Sequence, residues 1–179
     1  MTTEERIELC HNSLKTILPP AILAKLLHAL KELNFFTSAA STKYHGNYMG
    51  GLFDHSFAVM KHLVYLTDRL GLIRQDARSP YIVGLLHDLC KCDQYKYDAE
   101  NNKYVWVPSL LPGHGEKSII LAQQIITDLT EEEILCIRWH MGAFDDKDNW
   151  DLYGKSIEKY PNVLFTHTAD MMAARIDGI

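Results

Sequence analysis

One stretch of the chain sets an imidazole beside a carboxylate inside an apolar run: His87-Asp88, within Tyr81-Ile-Val-Gly-Leu-Leu-His-Asp-Leu-Cys-Lys91. Burying both side chains is costly unless something satisfies them together. A divalent cation does so, because histidine nitrogen and carboxylate oxygen are both ligands for first-row metals. Further donors of the same kind stand elsewhere. His55 lies in Gly50-Gly-Leu-Phe-Asp-His-Ser56 and His114 in Pro112-Gly-His-Gly-Glu-Lys-Ser118. His140 lies in Arg138-Trp-His-Met-Gly142, and Asp170 in Thr166-His-Thr-Ala-Asp-Met-Met172. Each falls in a different expected helix. Several helices that each present one inward ligand are how helical bundles build buried metal sites.

The elements that must position these residues read as helix after helix. Apolar periodicity runs from Glu4 to about Leu18, where Pro19-Pro20 stops it. Pro20 then suits the first position of a helix over Ala21–Leu33. The stretch from Asn34 to Asn47 has no clean period and is expected to wrap the surface as a loop. Gly50-Gly51 opens a long helix to Leu70, closed by Gly71. Ser79 is expected to cap the helix that carries His87-Asp88, with Pro80 just inside it. Gln94–Tyr97 and Lys103–Val107 are aromatic and β-branched, and Asp98–Asn102 supplies turn residues, which predicts one β-hairpin. Pro112-Gly113 starts a helix reaching about Thr127. Thr130-Glu-Glu-Glu133 forms a capping box for a helix ending near His140–Gly142. Gly142–Asp151 reads as a polar loop with exposed aromatics. A short helix follows, and Pro161 begins the last one, to Ile176. The fold class is therefore all-α, a helical bundle with one small β-hairpin.

Composition narrows the function. At 179 residues the chain is expected to form a single domain over 1–179, with a helical pair at 1–38 and the site core at 45–175. A net charge of −5 gives no general electrostatic grip on long nucleic acid or anionic membrane. No apolar run approaches the roughly 18 residues that a bilayer span requires. Met1-Thr-Thr-Glu-Glu-Arg6 lacks the character of a signal peptide, so a cytoplasmic location is expected. Cys10, Cys90, Cys92 and Cys136 match no common disulfide or zinc spacing and are read as reduced thiols.

Taken in order, His55, His87-Asp88, His114, His140 and Asp170 resemble the pattern of the HD-domain superfamily of metal-dependent phosphohydrolases, over about residues 45–175. The string His45-Gly-Asn-Tyr-Met-Gly-Gly-Leu-Phe-Asp-His55 is similar to the HD domain of a bacterial 3′–5′ exoribonuclease. The strings around His114 and His140 resemble small phage-associated HD hydrolases. The resemblance implies that His55, His87, Asp88 and Asp170 hold one metal. It further implies that Asp88 bridges to a second ion held by His114 and His140. Two such ions can clamp the attacking and leaving oxygens of a phosphoryl transfer and acidify a water. Manganese, iron or cobalt suits these donors, with zinc, nickel or magnesium as alternatives.

The expected substrate is a small phosphorylated molecule: a nucleotide, a cyclic dinucleotide or a short oligonucleotide. Lys91, three residues beyond Asp88 and matching a lysine common after His-Asp in the superfamily, is expected to touch its phosphate. Lys117, three residues beyond His114, is a weaker candidate for the same role. His45 and His167 are candidates to line the substrate pocket or orient a ligand. Asp54 is either an acid/base group or an aspartate serving its helix dipole. Tyr48, Phe53, Trp139, Phe144 and Trp150 offer faces for a base or simply fill the core and its rim. His11, His28 and His62 read as ordinary interfacial residues. Two other readings compete: a mixed-valent di-iron oxygenase, which uses the same ligand order within the superfamily, and a non-catalytic nucleotide-binding module.

Overall fold

A computed structural model describes residues 1–111 and 113–179; Pro112, expected to help start a helix, lies outside the described residues. The chain is a helical bundle with one two-stranded sheet. The first helix, α1 (Thr3–Leu14), opens on a capping box in which Thr2 and Glu5 satisfy each other's backbone N–H groups. It stops four residues short of the expected end, because Leu14 C=O is taken by both Ile17 N–H and Leu18 N–H in a tighter turn ahead of Pro19. Pro20 then starts α2 (Pro20–Glu32), which buries Leu23, Leu26 and Leu30 along one stripe.

The segment after α2 is irregular, as expected, but it does not stay on the surface. Phe35 and Phe36 are fully buried and meet Phe53 at ring-centroid distances of 6.0 and 5.3 Å. Lack of period hid this, since a loop buries apolar side chains wherever its turns allow rather than at fixed spacing. Its backbone also ties into the next helix, with Gly50 N–H donating to Thr37 C=O and Leu52 N–H to Ser38 C=O.

α3 (Gly51–Leu70) is the spine of the site and ends at Gly71 in the left-handed region. Its buried face runs Leu52, Phe53, His55, Ser56, Val59, Met60 and Leu63, so His55 sits among the core positions. α4 (Ser79–Leu86) packs against it at Gly84, where a Cβ would lie 2.4 Å from the Met60 Cα. Two expectations about α4 are corrected. Ser79 is the first helical residue rather than the cap, and its hydroxyl donates to Glu133 Oε1. The helix also ends before Asp88, with His87 at the C-cap and Asp88 already turned away at φ −110°, ψ 20°. A tight 3₁₀ turn, Leu89–Cys92, follows.

The hairpin forms as β1 (Tyr95–Asp98) and β2 (Lys103–Trp106), antiparallel, with Tyr95 opposite Trp106 and Tyr97 opposite Tyr104. α5 (His114–Ile125) and α6 (Glu131–Arg138) come next, the latter opened by the expected capping box between Thr130 and Glu133. They approach closely at Gly115, whose added Cβ would strike the Arg138 carbonyl oxygen at 2.2 Å. The polar connection contains two short 3₁₀ turns and leaves Phe144 exposed. α7 (Trp150–Lys159) lies on the outside of the bundle, with Tyr153 and Ile157 packed against the core. α8 (Asn162–Met171) continues into π-helical turns over Met172–Asp177. Among the described residues no helix is long and apolar enough to cross a membrane.

Candidate metal centre

α3, α4, α5, α6 and α8 deliver one cluster. His55 comes from the first turns of α3, His87 from the end of α4, Asp88 from the bend after it, and His114 from the start of α5. His140 follows the end of α6, and Asp170 lies on the last turn of α8. His55, His87, Asp88 and His140 are buried, and Asp170 and His114 are partly exposed at one side.

Asp88 divides the group between its two oxygens. Oδ2 faces His87 Nε2 at 3.4 Å and His55 Nε2 at 3.6 Å. Oδ1 faces His114 Nε2 at 2.9 Å and His140 Nε2 at 3.4 Å. Asp170 Oδ1 closes the first side, 3.0 Å from His55 Nε2 and 3.9 Å from His87 Nε2.

The far nitrogen of each buried ring explains which atom points inward. His55 Nδ1 bonds the Ile179 carbonyl oxygen at 2.9 Å, His87 Nδ1 that of Gly84 at 2.9 Å, and His140 Nδ1 that of Ile137 at 2.7 Å. A carbonyl only accepts, so in the neutral ring each Nδ1 carries the proton and each Nε2 is left as a lone pair. Those three Nε2 atoms are buried and lack a hydrogen-bond partner. Lone pairs aimed at carboxylate oxygens with no proton between them leave polar groups that only a cation would satisfy. The donor set, imidazole nitrogen with carboxylate oxygen, is that of a first-row divalent metal. His55, His87 and Asp170 lie within ligand distance of one another, as do His87, Asp88 and His140.

Electrostatics agree with this distribution. Burial alone would raise the Asp88 carboxyl, but Lys91, His87, the hydrogen bond from His114 and the nearby His140 ring hold it well below the usual carboxylate range. For Asp170, burial is likewise outweighed by the imidazoles that face it, His55 first and then His87 and His140, and its carboxyl is lowered. Burial opposes the charged form of His114, yet the bond to Asp88 pushes it up to about 9. Metal ligation there would displace a proton.

A cavity of about 300 Å³ opens onto the cluster. Asp88, His114 and Asp170 reach it, Lys91 and Arg175 bring cations, and Tyr44, Tyr95 and Phe144 bring aromatic faces. Lys91 Nζ stands 2.6 Å from Asp88 Oδ2, and its pKa is raised because that carboxylate outweighs burial. His45 lines the same cavity, its ring 4.9 Å from that of His55. Burial, then His55 and Lys91, lower His45 to about 4, so its ring is neutral near pH 7. His167 stands behind the centre, its Nδ1–H donating to the His140 carbonyl oxygen at 2.8 Å.

Two expected site residues face elsewhere. Asp54 is held by Arg6 in a two-pronged pair, Nε to Oδ1 at 2.9 Å and a terminal nitrogen to Oδ2 at 2.8 Å. The α1–α3 packing that brings Arg6 to it turns the carboxylate away from the cavity. Lys117 is buried against the Asp93 carboxylate and the Ser109 hydroxyl, because the 3₁₀ turn after Asp88 places Asp93 across from α5. It does not line the cavity. Of the aromatic candidates, Phe53 and Trp139 are core residues and Phe144 borders the cavity. Arg175, Tyr44 and Tyr95 carry no motif, and only the folded chain brings them to the site. All four cysteines are free and buried.

Comparison with protein families matches the HD domain over residues 52–174. That span contains every member of the six-residue cluster. Neither a curated protein nor a solved structure matches the chain.

Proposed function

The chain belongs to the HD-domain family, and from that premise we propose that it is a metal-dependent phosphohydrolase acting on a nucleotide-sized phosphoester. The observation that carries this reading is the division of Asp88, with two imidazoles facing each of its oxygens. His55, His87, Asp88 and Asp170 would hold one divalent ion, and Asp88, His114 and His140 a second. Bound there, such ions supply Lewis acidity toward a phosphoester oxygen and make a water acidic enough to attack near neutral pH.

The chain's own residues do the rest. Carbonyl acceptors of Gly84, Ile137 and Ile179 fix the rings so that every Nε2 points inward. The Lys91 ammonium reaches from the centre into the cavity and binds a phosphoryl oxygen. Arg175, on the π-helical turns, also lines the cavity and, among the described residues, has no ion-pair partner; it meets a second anionic oxygen. Tyr44, Tyr95 and Phe144 offer faces for a base or sugar. The cavity is at the small end of ligand pockets and suits one nucleotide unit, free or at the end of a short oligonucleotide. The net charge of −5 disfavours long nucleic acid.

The test is a phosphoester panel run without oxygen on metal-free protein reloaded with manganese: nucleoside monophosphates, cyclic dinucleotides and short oligonucleotides. Metal-dependent release of phosphate or of a nucleotide is expected. Inertness to the whole panel, with oxygen uptake by iron-loaded protein on a polyol or phosphonate, would replace hydrolysis with oxygenation.

A further inference from the structure

We infer that Cys90 is a seventh donor at this centre, a thiolate ligand beside His114 that tilts the site toward borderline-soft cations such as zinc, cobalt(II) or iron(II). The inference rests on the metal reading above. Cys90 Sγ, an Asp88 carboxylate oxygen and a His114 ring nitrogen all lie within 4.8 Å of one another. One ion can span such a gap, since zinc bonds sulfur at about 2.3 Å and nitrogen or oxygen at about 2.0–2.2 Å.

The surroundings of the thiol differ from those of the other cysteines. Cys10, Cys92 and Cys136 belong to the apolar core cluster, and Cys90, equally buried, does not. Its backbone N–H donates to the Ser118 hydroxyl at 3.1 Å, which ties the 3₁₀ turn to α5, the helix that His114 opens. On the same side of Asp88, the His140 Nε2 is buried and unpartnered, 3.4 Å from Oδ1. Asp88, His114 and Cys90 bring a carboxylate, an imidazole and a thiolate to one point, a donor set that favours zinc over manganese or magnesium without shutting them out. As the sulfur–metal bond forms, the thiol proton passes to solvent.

Cobalt(II) titrated anaerobically into the metal-free full-length chain tests this directly. A near-ultraviolet thiolate-to-cobalt band is expected in the native protein and in Cys92→Ser, and is expected to be lost in Cys90→Ser while visible cobalt bands persist. The preference for zinc over manganese in Cys90→Ser should fall by about tenfold or more, the scale on which even orienting partners of metal ligands act. X-ray absorption of the zinc-loaded native chain, which needs no variant, should show a sulfur neighbour at about 2.3 Å. Cobalt bound without the band, or zinc with only nitrogen and oxygen neighbours, overturns the assignment of Cys90 and leaves the metal centre standing. Failure to bind any cobalt overturns the metal reading itself.

Discussion

Lys91 Nζ stands 2.6 Å from Asp88 Oδ2, the same oxygen that faces His87 Nε2 at 3.4 Å and His55 Nε2 at 3.6 Å. An ammonium and a metal ion at one carboxylate oxygen repel each other, so Lys91 and the first ion compete for Asp88. In Lys91→Gln, metal binding should tighten or hold steady while turnover falls about 10²-fold, the usual scale for losing one positioned donor. Metal content by mass spectrometry, read beside kcat, checks this. Loss of metal together with activity would make Lys91 a support of the site rather than a substrate contact.

The Arg6–Asp54 pair joins α1 to α3 through two parallel hydrogen bonds. Asp54→Asn weakens both bonds and leaves a buried guanidinium poorly matched, at a cost of about 2 kcal/mol. Urea unfolding should show that loss with metal content unchanged. Lower metal content without lower stability would return Asp54 to the site.

Gly84 lets α4 press its backbone onto α3 beside Met60, one turn before His87. Gly84→Ala should cost about 3 kcal/mol or more, since backbone rather than a flexible side chain must move. Because the same contact sets His87 against His55, metal affinity should fall in whatever protein still folds. Thermal unfolding and cobalt titration measure the two effects separately.

Asp145 takes hydrogen bonds from Arg138 and Asn149, at 2.5 and 3.0 Å. Burial would raise its carboxyl, but these partners outweigh it and hold it below the usual carboxylate range. A depressed folded-state pKa contributes stability above the unfolded value of about 3.9, and that stability is lost as pH falls through the folded one. Asp145→Asn should therefore flatten the acid side of the stability profile below about pH 4 and shift the neutral side by a constant amount. Denaturation midpoints measured between pH 3 and 7 provide the comparison.

Much of the architecture was legible because its signals are local. The capping box at Thr130, Gly71 closing α3 and the aromatic hairpin depend on neighbours within a few residues. His87 and Asp88 were legible for a different reason, as polar groups in an apolar run that need an explanation. Long-range contacts were not legible. Nothing near Asp54 announces Arg6, 48 positions away, and nothing near Lys117 announces Asp93 across the 3₁₀ turn. The burial of Phe35 and Phe36 was hidden because an irregular segment has no period to read. The end of α4 at Leu86 was missed because an apolar run followed by His-Asp gives no stop signal. That bend is what lets Asp88 turn one oxygen toward His55 and His87 and the other toward His114 and His140.

The central claim is that Asp88 joins two metal positions, and metal stoichiometry in Asp88→Ala tests it most directly. Native protein, purified without chelator and reloaded with manganese, should carry about two ions per chain, the two-metal arrangement in which one carboxylate serves both. Asp88→Ala should retain at most a weakly held fraction of one ion, with helicity by circular dichroism close to native. A folded Asp88→Ala variant that keeps full metal content would contradict the account.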